Sequence, residues 1–300
     1  MIHNILLLIL VNVISALTYP IGKLSFNYGN PLFLTGVRMI VAGFLLAIFE
    51  YFWTRKTFKV TKQFIIQLLA LSFFNVFLTN CLQFWALDYT TASKAIFIFN
   101  MSPFIAAVLS YFIYGETMSY KKIIALVIAF AGFLPVLFFG NANYSTQNLI
   151  DLPEVALVIA ALVSVIGWFI MKQLLQVTSC SFIMINGLSM LIGGLLFFPV
   201  SFFTEGPQWY YSSNILMASA YLAILIIANN FINYNAYAYF LKYLSPTLIF
   251  LISFTGPLFT LFFGWLFLGE KIGYSFLFTI IIVGYGLYLY YNEEIRLQKV

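Results

Sequence analysis

Long apolar stretches separated by short polar turns dominate the pattern of this chain. A helix needs about 20 mainly apolar residues to cross the hydrocarbon core of a membrane, because it rises about 1.5 Å per residue. We number the stretches that approach this length as predicted spans one to ten: 4–22, 32–52, 64–87, 90–114, 121–140, 153–172, 182–203, 214–240, 245–268 and 273–291. The pattern therefore predicts an all-α integral membrane protein with ten transmembrane helices.

The composition indicates that lipid is the solvent for most side chains. Of the 300 residues, 63% are hydrophobic and 8% are charged, whereas soluble domains carry about 25% charged residues. The net charge of +5 is small, and we interpret it as a topology signal rather than as a surface for nucleic acid. We expect a lipid bilayer and a small-molecule substrate as partners, and no nucleic acid.

Lysine and arginine residues are distributed unevenly over the predicted loops. If the N-terminus lies on the first side, that side holds Arg55, Lys56, Lys59, Lys62, Lys121, Lys122, Lys172, Lys242, Arg296 and Lys299. The opposite side holds only Lys23 and Lys271. Cytoplasmic loops are enriched in these residue types. Both termini are therefore predicted to be cytoplasmic, in a multi-pass protein of the cytoplasmic (inner) membrane.

The two halves of the chain, 1–145 and 146–300, repeat one pattern. A shift of 154 positions places Pro103 on Pro257, Gly115 on Gly269, Glu116 on Glu270 and Gly132 on Gly286, and a shift of 151 places Gly36 on Gly187, Met39 on Met190 and Gly43 on Gly194. Such self-similarity indicates an internal duplication. Each half holds five spans, an odd number, so the second copy is expected to cross the membrane in the opposite direction. The Gly-Glu pairs suit a helix end followed by a helix start, which is a structural role.

Two related runs carry a resemblance to a known family. These are YTTASKAIFIFNMSPFIAAVLSYFIYGE (89–116) and YLSPTLIFLISFTGPLFTLFFGWLFLGE (243–270), and span two adds LTGVRMIVAG. Together they resemble the EamA-like drug/metabolite transporters, and the resemblance covers essentially the whole chain. It implies a carrier of two inverted five-helix bundles, with a central cavity lined mainly by spans one, three, four, six, eight and nine. Lys94 departs from the family pattern, in which a small or apolar residue is common at that position.

Spans four and nine each contain a proline near the middle, Pro103 and Pro257. Proline has no amide proton, so the carbonyl groups of Phe99 and Ser253 lose their helical partners. In lipid such a carbonyl must find another donor in protein, water or ligand. We expect a kink at each proline with a role in gating, and a static kink is the alternative.

Polar side chains cluster in spans three and eight. Residues four apart share a helix face, as Asn229 and Asn233 do in span eight. Amides in hydrocarbon turn inward, either to join helices or to form a binding wall. Four aromatic residues are candidates to stack on a planar substrate group, or to lie at the membrane interface: Trp85, Tyr89, Trp168 and Tyr237. The candidate substrate-binding residues are Lys94, Asn80, Gln83, Asn229, Asn233, Tyr237, Trp85, Asn100 and Asn12.

Two basic residues, Arg38 and Lys94, lie inside predicted spans rather than in loops. Long side chains can reach the interface from such a depth, which is one interpretation of both. Alternatively, Arg38 has a structural role and ties helices together by bonding backbone carbonyls. Lys94 lies on the span that carries Pro103, where a cation would attract a carboxylate or phosphate group of the substrate.

The residue types also bear on mechanism. Proton-coupled carriers use buried acids or histidines as relays, and no acid lies in the middle of a predicted span. We therefore expect exchange or facilitated flow by alternating access. One histidine and the separated Cys81 and Cys180 provide neither a metal site nor a catalytic constellation, so no metal, cofactor or enzyme activity is predicted. A channel would need a ring of polar groups, and the paired kinks suit a carrier better.

The substrate is predicted only by class. One cation, many amides and aromatic walls suit a small zwitterion with a planar part. Two hypotheses follow, an adenosyl metabolite similar to S-adenosylmethionine and an aromatic or other amino acid that is exported. The pattern leaves both open, together with a monomeric or homodimeric state.

Overall fold

The computed structural model describes residues 2–54, 60–115, 119–132, 151–207, 214–244, 246–253, 255–270 and 273–298. Within these ranges the chain is helical and contains no β-strand. The helices are α1 Ile2–Ser15, α2 Thr18–Ser25, α3 Pro31–Thr54, α4 Lys62–Leu71, α5 Thr79–Tyr89, α6 Ala92–Phe99, α7 Ser102–Tyr114, α8 Tyr120–Ala131, α9 Leu152–Val177, α10 Phe182–Leu195, α11 Phe197–Glu205, α12 Ile215–Leu225, α13 Tyr234–Phe240, α14 Pro246–Ser253, α15 Gly256–Leu268 and α16 Tyr274–Gln298. Two π-helical segments, Ser72–Leu78 and Ile226–Asn233, join α4 to α5 and α12 to α13.

Seven helices of the described chain are long and apolar enough to cross a membrane. They are Leu6–Ser25, Pro31–Phe52, Lys62–Tyr89, Ala92–Ile113, Leu152–Val177, Phe182–Glu205 and Ile215–Phe240. They correspond to predicted spans one to four and six to eight. Predicted spans five, nine and ten are represented by α8, by α14 with α15, and by α16. The all-helical membrane fold is confirmed, and the count of ten spans stays a prediction.

The outer surface is apolar and the interior holds much of the polar chemistry. Phe112, Phe203 and Leu216 are each at least three-quarters exposed, whereas Asn75 and Asn80 are almost fully buried. This arrangement suits a molecule that is surrounded by hydrocarbon, because buried polar groups then need partners inside the protein.

Span two packs against span seven through glycines that the repeat relates. A Cβ atom on Gly43 would lie 2.7 Å from the carbonyl oxygen of Gly187, and one on Gly36 would lie 3.4 Å from that of Gly194. Gly36 and Gly43 are the repeat partners of Gly187 and Gly194. The contact is therefore isologous, because Gly43 meets the repeat partner of Gly36 and Gly36 meets the repeat partner of Gly43. The residue numbers run in opposite directions along the two helices, so the equivalent helices are antiparallel.

Span five packs against span ten in the same manner. A Cβ atom on Gly132 would lie 2.7 Å from a methyl carbon of Val283, and one on Gly286 would lie 2.6 Å from the Cβ of Ala129. The shift of 154 positions relates Gly132 to Gly286 and Ala129 to Val283. A second pair of equivalent helices is thus antiparallel and related by the same approximate two-fold symmetry.

The π-helical segments correct the register of the repeat in spans three and eight. Asn80 donates from Nδ2 to the carbonyl oxygens five and four residues earlier, at 3.3 and 2.8 Å, and Asn235 does the same at the same two distances. The equivalent positions are therefore 155 apart here. The shift of 154 would place Asn75 on Asn229, whereas these hydrogen bonds place it on Asn230. The second π segment is one residue longer than the first, which explains the change from 154 to 155.

The two glycines of the Gly-Glu pairs end their helices in the same conformation. Gly115 and Gly269 both have φ of 64°, a left-handed geometry that glycine adopts without steric cost. Glu270 then accepts from the backbone N–H groups of Ala92 and Ser93, at 2.7 and 3.1 Å. Its carboxylate thus caps the start of α6 in the other half. Glu116 lies outside the described residues.

Candidate substrate cavity

Helices with irregular backbone meet at the centre of the molecule. Within the described residues, span one is interrupted between α1 and α2, span four between α6 and α7, and span nine between α14 and α15, while spans three and eight pass through the π segments. Non-helical backbone at membrane depth is tolerated where it is buried in protein or borders a cavity. Here it borders a cavity of about 110 Å³. By the same measure of volume, one water molecule needs about 10–15 Å³.

Amides, hydroxyls and aromatic rings form the wall of the cavity, and none of the described residues that line it has a charged side chain. Most of the candidate substrate-binding residues belong to this wall: Asn12, Asn80, Gln83, Asn100, Asn229, Asn233 and Tyr237. The wall also includes Tyr19, Trp168, Tyr234 and Ser253. Such a surface can donate and accept hydrogen bonds in several directions without fixing the charge of its ligand.

Asn12 of α1 connects the first half to span nine. Its Nδ2 donates to the carbonyl oxygen of Ile252 at 3.0 Å and to the hydroxyl of Thr255 at 3.1 Å. Its Oδ1 accepts from the hydroxyl of Tyr237 at 3.1 Å. The hydroxyls of Tyr237 and Ser253 are also hydrogen-bonded to each other. One amide therefore holds the interrupted region of span nine against span eight at the cavity edge.

Asn80 connects span three to Arg38 and to span eight. Its Oδ1 accepts from the guanidinium of Arg38 at 3.3 Å, and its Nδ2 lies 2.9 Å from the hydroxyl oxygen of Tyr234. That hydroxyl donates to the carbonyl of Asn75 at 3.3 Å. The guanidinium carbon of Arg38 lies 4.5 Å from the centre of the Phe84 ring. Arg38 is almost fully buried, and the acceptor of its hydrogen bond is a side chain of span three rather than the expected backbone carbonyl.

Two further polar pairs face the cavity. Asn233 donates to the Oδ1 of Asn229 at 3.1 Å, as their spacing of four residues predicts. The Oδ1 of Asn233 is buried and has no hydrogen-bond partner. Gln83 donates to the hydroxyl of Tyr19. A buried carbonyl oxygen without a donor is costly, and a ligand in the cavity can supply that donor.

The structure places Lys94 outside the cavity wall. Its ammonium forms an ion pair with the carboxylate of Glu154, and the two side chains are 2% and 8% exposed. The second oxygen of Glu154 accepts from the backbone N–H of Asp151 at 3.0 Å and so caps α9. The side chain of Lys94 is therefore buried in an ion pair and is not part of the described cavity wall. It joins span four of the first half to span six of the second.

The start of span four is fixed by several neighbours besides Glu154. Lys23 of α2 donates to the carbonyl of Thr90, and the hydroxyl of Thr91 caps α6 by accepting from the N–H of Lys94 at 3.1 Å. Glu270 accepts from the first two N–H groups of this helix, those of Ala92 and Ser93. Charge-assisted contacts from spans one, six and nine thus converge on one end of one helix.

The remaining candidates lie beside the cavity. Pro103 and Pro257 lie in the first turns of α7 and α15, next to the interruptions of spans four and nine. The carbonyl of Phe99 that Pro103 deprives of its helical donor accepts instead from the hydroxyl of Ser102 at 2.6 Å. Trp85 does not line the cavity, and its ring lies 5.2 Å from that of Tyr89.

Comparison with known proteins places this geometry in context. The model of the EamA-like transporter family matches residues 3–138 and 152–292. A protein of Chlamydia muridarum named S-adenosylmethionine/S-adenosylhomocysteine transporter is 33% identical over 282 residues, which cover 93% of this chain and 88% of that protein. A Chlamydia trachomatis protein of the same name is 33% identical over 284 residues, or 93% and 86% of the two chains. A solved crystal structure matches with a TM-score of 0.69 at 13% identity, over 97% of this chain and 98% of that chain, which shows the same fold.

Proposed function

The chain belongs to the EamA-like transporter family, and we propose that it exchanges S-adenosylmethionine for S-adenosylhomocysteine across the cytoplasmic membrane. The family and the relatives named above are transporters and not enzymes. The observation that carries the proposal is the central cavity, whose wall offers amides and aromatic rings from both halves. The relatives that share 33% of their residues with this chain supply the substrate class.

The proposed architecture has ten transmembrane helices in two inverted repeats, 1–145 and 146–300, with both termini in the cytoplasm. The antiparallel glycine contacts of spans two and seven support the inversion. So does the excess of lysine and arginine on one side of the predicted spans. In inverted-repeat transporters the substrate site lies near the membrane midplane between the repeats, where this cavity would then lie.

The cavity wall fits an adenosyl amino acid. Asparagine and glutamine side chains present a donor and an acceptor together, which matches the N6 and N7 edge of adenine. Gln83 and Asn229 offer such groups, and Tyr19 offers a ring on which a planar base can stack. We assign adenine recognition to these residues, with Asn100 as a further contact.

The proposed mechanism is alternating access through the interrupted spans. The breaks beside Pro103 and Pro257 allow each half of spans four and nine to move without breaking a continuous helix. In this mechanism the ion pair between Lys94 and Glu154, which joins the two halves, separates when the starts of spans four and six move apart. None of the described residues lining the cavity is an acid that could carry a proton, which supports exchange over proton coupling.

Counterflow in proteoliposomes tests this proposal. Vesicles that contain the purified protein are loaded with unlabelled S-adenosylhomocysteine, and the uptake of labelled S-adenosylmethionine is measured. We expect rapid uptake that saturates with substrate and is lost in vesicles without internal substrate. Uptake that needs a pH gradient and collapses with a protonophore would contradict exchange.

Two controls make the outcome specific. Vesicles loaded with phenylalanine or methionine test the amino-acid hypothesis, and we expect no counterflow of the adenosyl compound from them. The double variant Gln83→Ala and Asn229→Ala removes amides of spans three and eight from the cavity wall and should reduce uptake about 10-fold or more. Uptake by that variant equal to the wild-type rate would place the adenosyl site elsewhere.

A further inference from the structure

Three aromatic rings form one cluster at the cavity wall. The ring centre of Trp168 on α9 lies 5.6 Å from that of Tyr234 and 5.5 Å from that of Tyr237, with tilts of 41° and 38°. The two tyrosines are three residues apart on α13 and share a face. All three side chains line the cavity and are more than nine-tenths buried.

Hydrogen bonds hold the polar ends of the tyrosines in the surrounding network. The hydroxyl of Tyr234 donates to the carbonyl of Asn75, and the hydroxyl of Tyr237 donates to the Oδ1 of Asn12. Their orientation is therefore set by the protein and not by a ligand. The aromatic surfaces of the cluster are the part that remains available to the cavity.

The charges around the cavity define what these rings can recognise. Among the described lining residues no carboxylate is present to pair with a cationic ligand, and the nearby acid Glu154 is already paired with Lys94. The face of an aromatic ring attracts a cation that has lost its water. The unpartnered Oδ1 of Asn233 adds a partial negative charge to the wall of the same cavity. The wall is therefore suited to a positive centre without any counter-ion.

We propose that Trp168 and Tyr237 bind the methylsulfonium centre of the substrate over their rings and thereby determine the preference for the sulfonium over the thioether. This rests on the proposed function. Tyr234 is excluded from the pair because Asn80 links it directly to the guanidinium of Arg38, which repels a cation. A neutral thioether still packs against the rings, since sulfur makes favourable contacts with aromatic edges. Both members of the exchange therefore fit one site, and the charged one binds more tightly.

The experiment compares two ligands on one set of variants. The dissociation constants of S-adenosylmethionine and S-adenosylhomocysteine are measured by equilibrium dialysis on the purified full chain in detergent. For Trp168→Leu we expect the affinity for the sulfonium to fall about 10-fold more than the affinity for the thioether. Trp168→Phe keeps a smaller ring and should lose less. Tyr237→Phe keeps the ring without the hydroxyl and should leave the ratio of the two constants unchanged.

The possible outcomes separate this inference from the proposed function. An equal loss for both ligands in Trp168→Leu would overturn the inference, because the ring would then contribute packing alone. If the wild-type protein binds neither ligand, the proposed function falls and the inference falls with it. Thermal unfolding of each variant identifies loss of the fold, and if Trp168→Leu does not fold, the ratio measured for Trp168→Phe decides.

Discussion

The two halves of the molecule differ at positions where the repeat relates them. The shift of 151 positions pairs the buried Arg38 with Ser189, and the shift of 154 pairs Lys94 with Leu248. Arg38 bonds Asn80 across helices, whereas the hydroxyl of Ser189 donates to a carbonyl of its own helix at 3.0 Å. The first half thus carries two buried cations in spans where the second half is neutral.

The second half supplies acids that reach the first half. Glu154 pairs with Lys94, Glu270 caps α6, and Glu205 accepts from the backbone N–H of Leu32 at 2.9 Å. These contacts lie at the starts of spans two, four and six, which is one end of the molecule. The glycine contacts between the halves are symmetric and favour neither end. The charged contacts among the described residues are not symmetric, so the two ends of the cavity should open at different free-energy cost.

The largest effect on stability is expected when Lys94 is replaced by the residue that the second half has at the equivalent position. Lys94→Leu introduces the residue that the repeat has at 248 and leaves the carboxylate of Glu154 buried without its partner. Removing one member of a buried ion pair costs about 3–5 kcal/mol. We expect a loss of this size in the free energy of unfolding, measured by chemical denaturation in detergent micelles.

The double variant Lys94→Leu and Glu154→Gln provides the matched control. The glutamine oxygen can still accept from the N–H of Asp151, and no charge remains buried. Neutral replacement of a whole buried ion pair is often tolerated or stabilising, so most of the stability should return. We also expect faster counterflow in this variant, because spans four and six can then separate without breaking an ion pair. A single variant as stable as the wild type would show that the ion pair does not hold the halves together.

The second prediction concerns the symmetric part of the interface. An alanine at Gly43 or at Gly187 would place its Cβ 2.7 or 2.9 Å from backbone atoms of the facing helix, and backbone cannot move aside as a flexible side chain can. Overpacking of this kind costs about 1–3 kcal/mol. Because the two glycines face each other across one contact and each Cβ would meet backbone at a similar distance, Gly43→Ala and Gly187→Ala should lower the free energy of unfolding by similar amounts.

Gly284 provides the control for both substitutions. It lies in α16, and a Cβ atom there would meet no atom within 4 Å. Gly284→Ala should therefore leave the free energy of unfolding within about 1 kcal/mol of the wild type, because alanine also has the higher helix propensity. A large loss in Gly43→Ala together with none in Gly187→Ala would mean that the contact is not shared equally.

Many residues of the cavity wall could be predicted, because an amide side chain is costly in hydrocarbon and turns towards the interior of the protein. Asn12, Asn80 and Asn229 must turn inward whatever the detailed packing, and all three line the cavity. The pairing of Lys94 with Glu154 could not be predicted in this way. The two residues lie 60 positions apart in different halves, and their contact depends on which helices pack together.

Other features left no signal in the pattern. Tyr19 lines the cavity, yet aromatic residues make up 20% of the chain, so composition does not distinguish those in the wall from those in lipid. The π segments are also invisible, because one extra residue in a turn hardly changes an apolar stretch. Their presence only becomes evident from the hydrogen bonds of Asn80 and Asn235.

The smallest expected difference compares these two asparagines. Each closes the π segment of its own half with the same two backbone bonds, but Asn80 also accepts from the charged Arg38, whereas Asn235 accepts from the neutral Asn186 at 2.9 Å. Asn80→Ala removes the acceptor of the buried Arg38 guanidinium, and Asn235→Ala removes an acceptor of the Asn186 amide. Loss of a hydrogen bond costs more when the donor is charged. Asn80→Ala should therefore lower the free energy of unfolding by about 1–2 kcal/mol more than Asn235→Ala. The comparison uses chemical denaturation of both variants in the same detergent, and equal losses would mean that Asn80 does not stabilise Arg38.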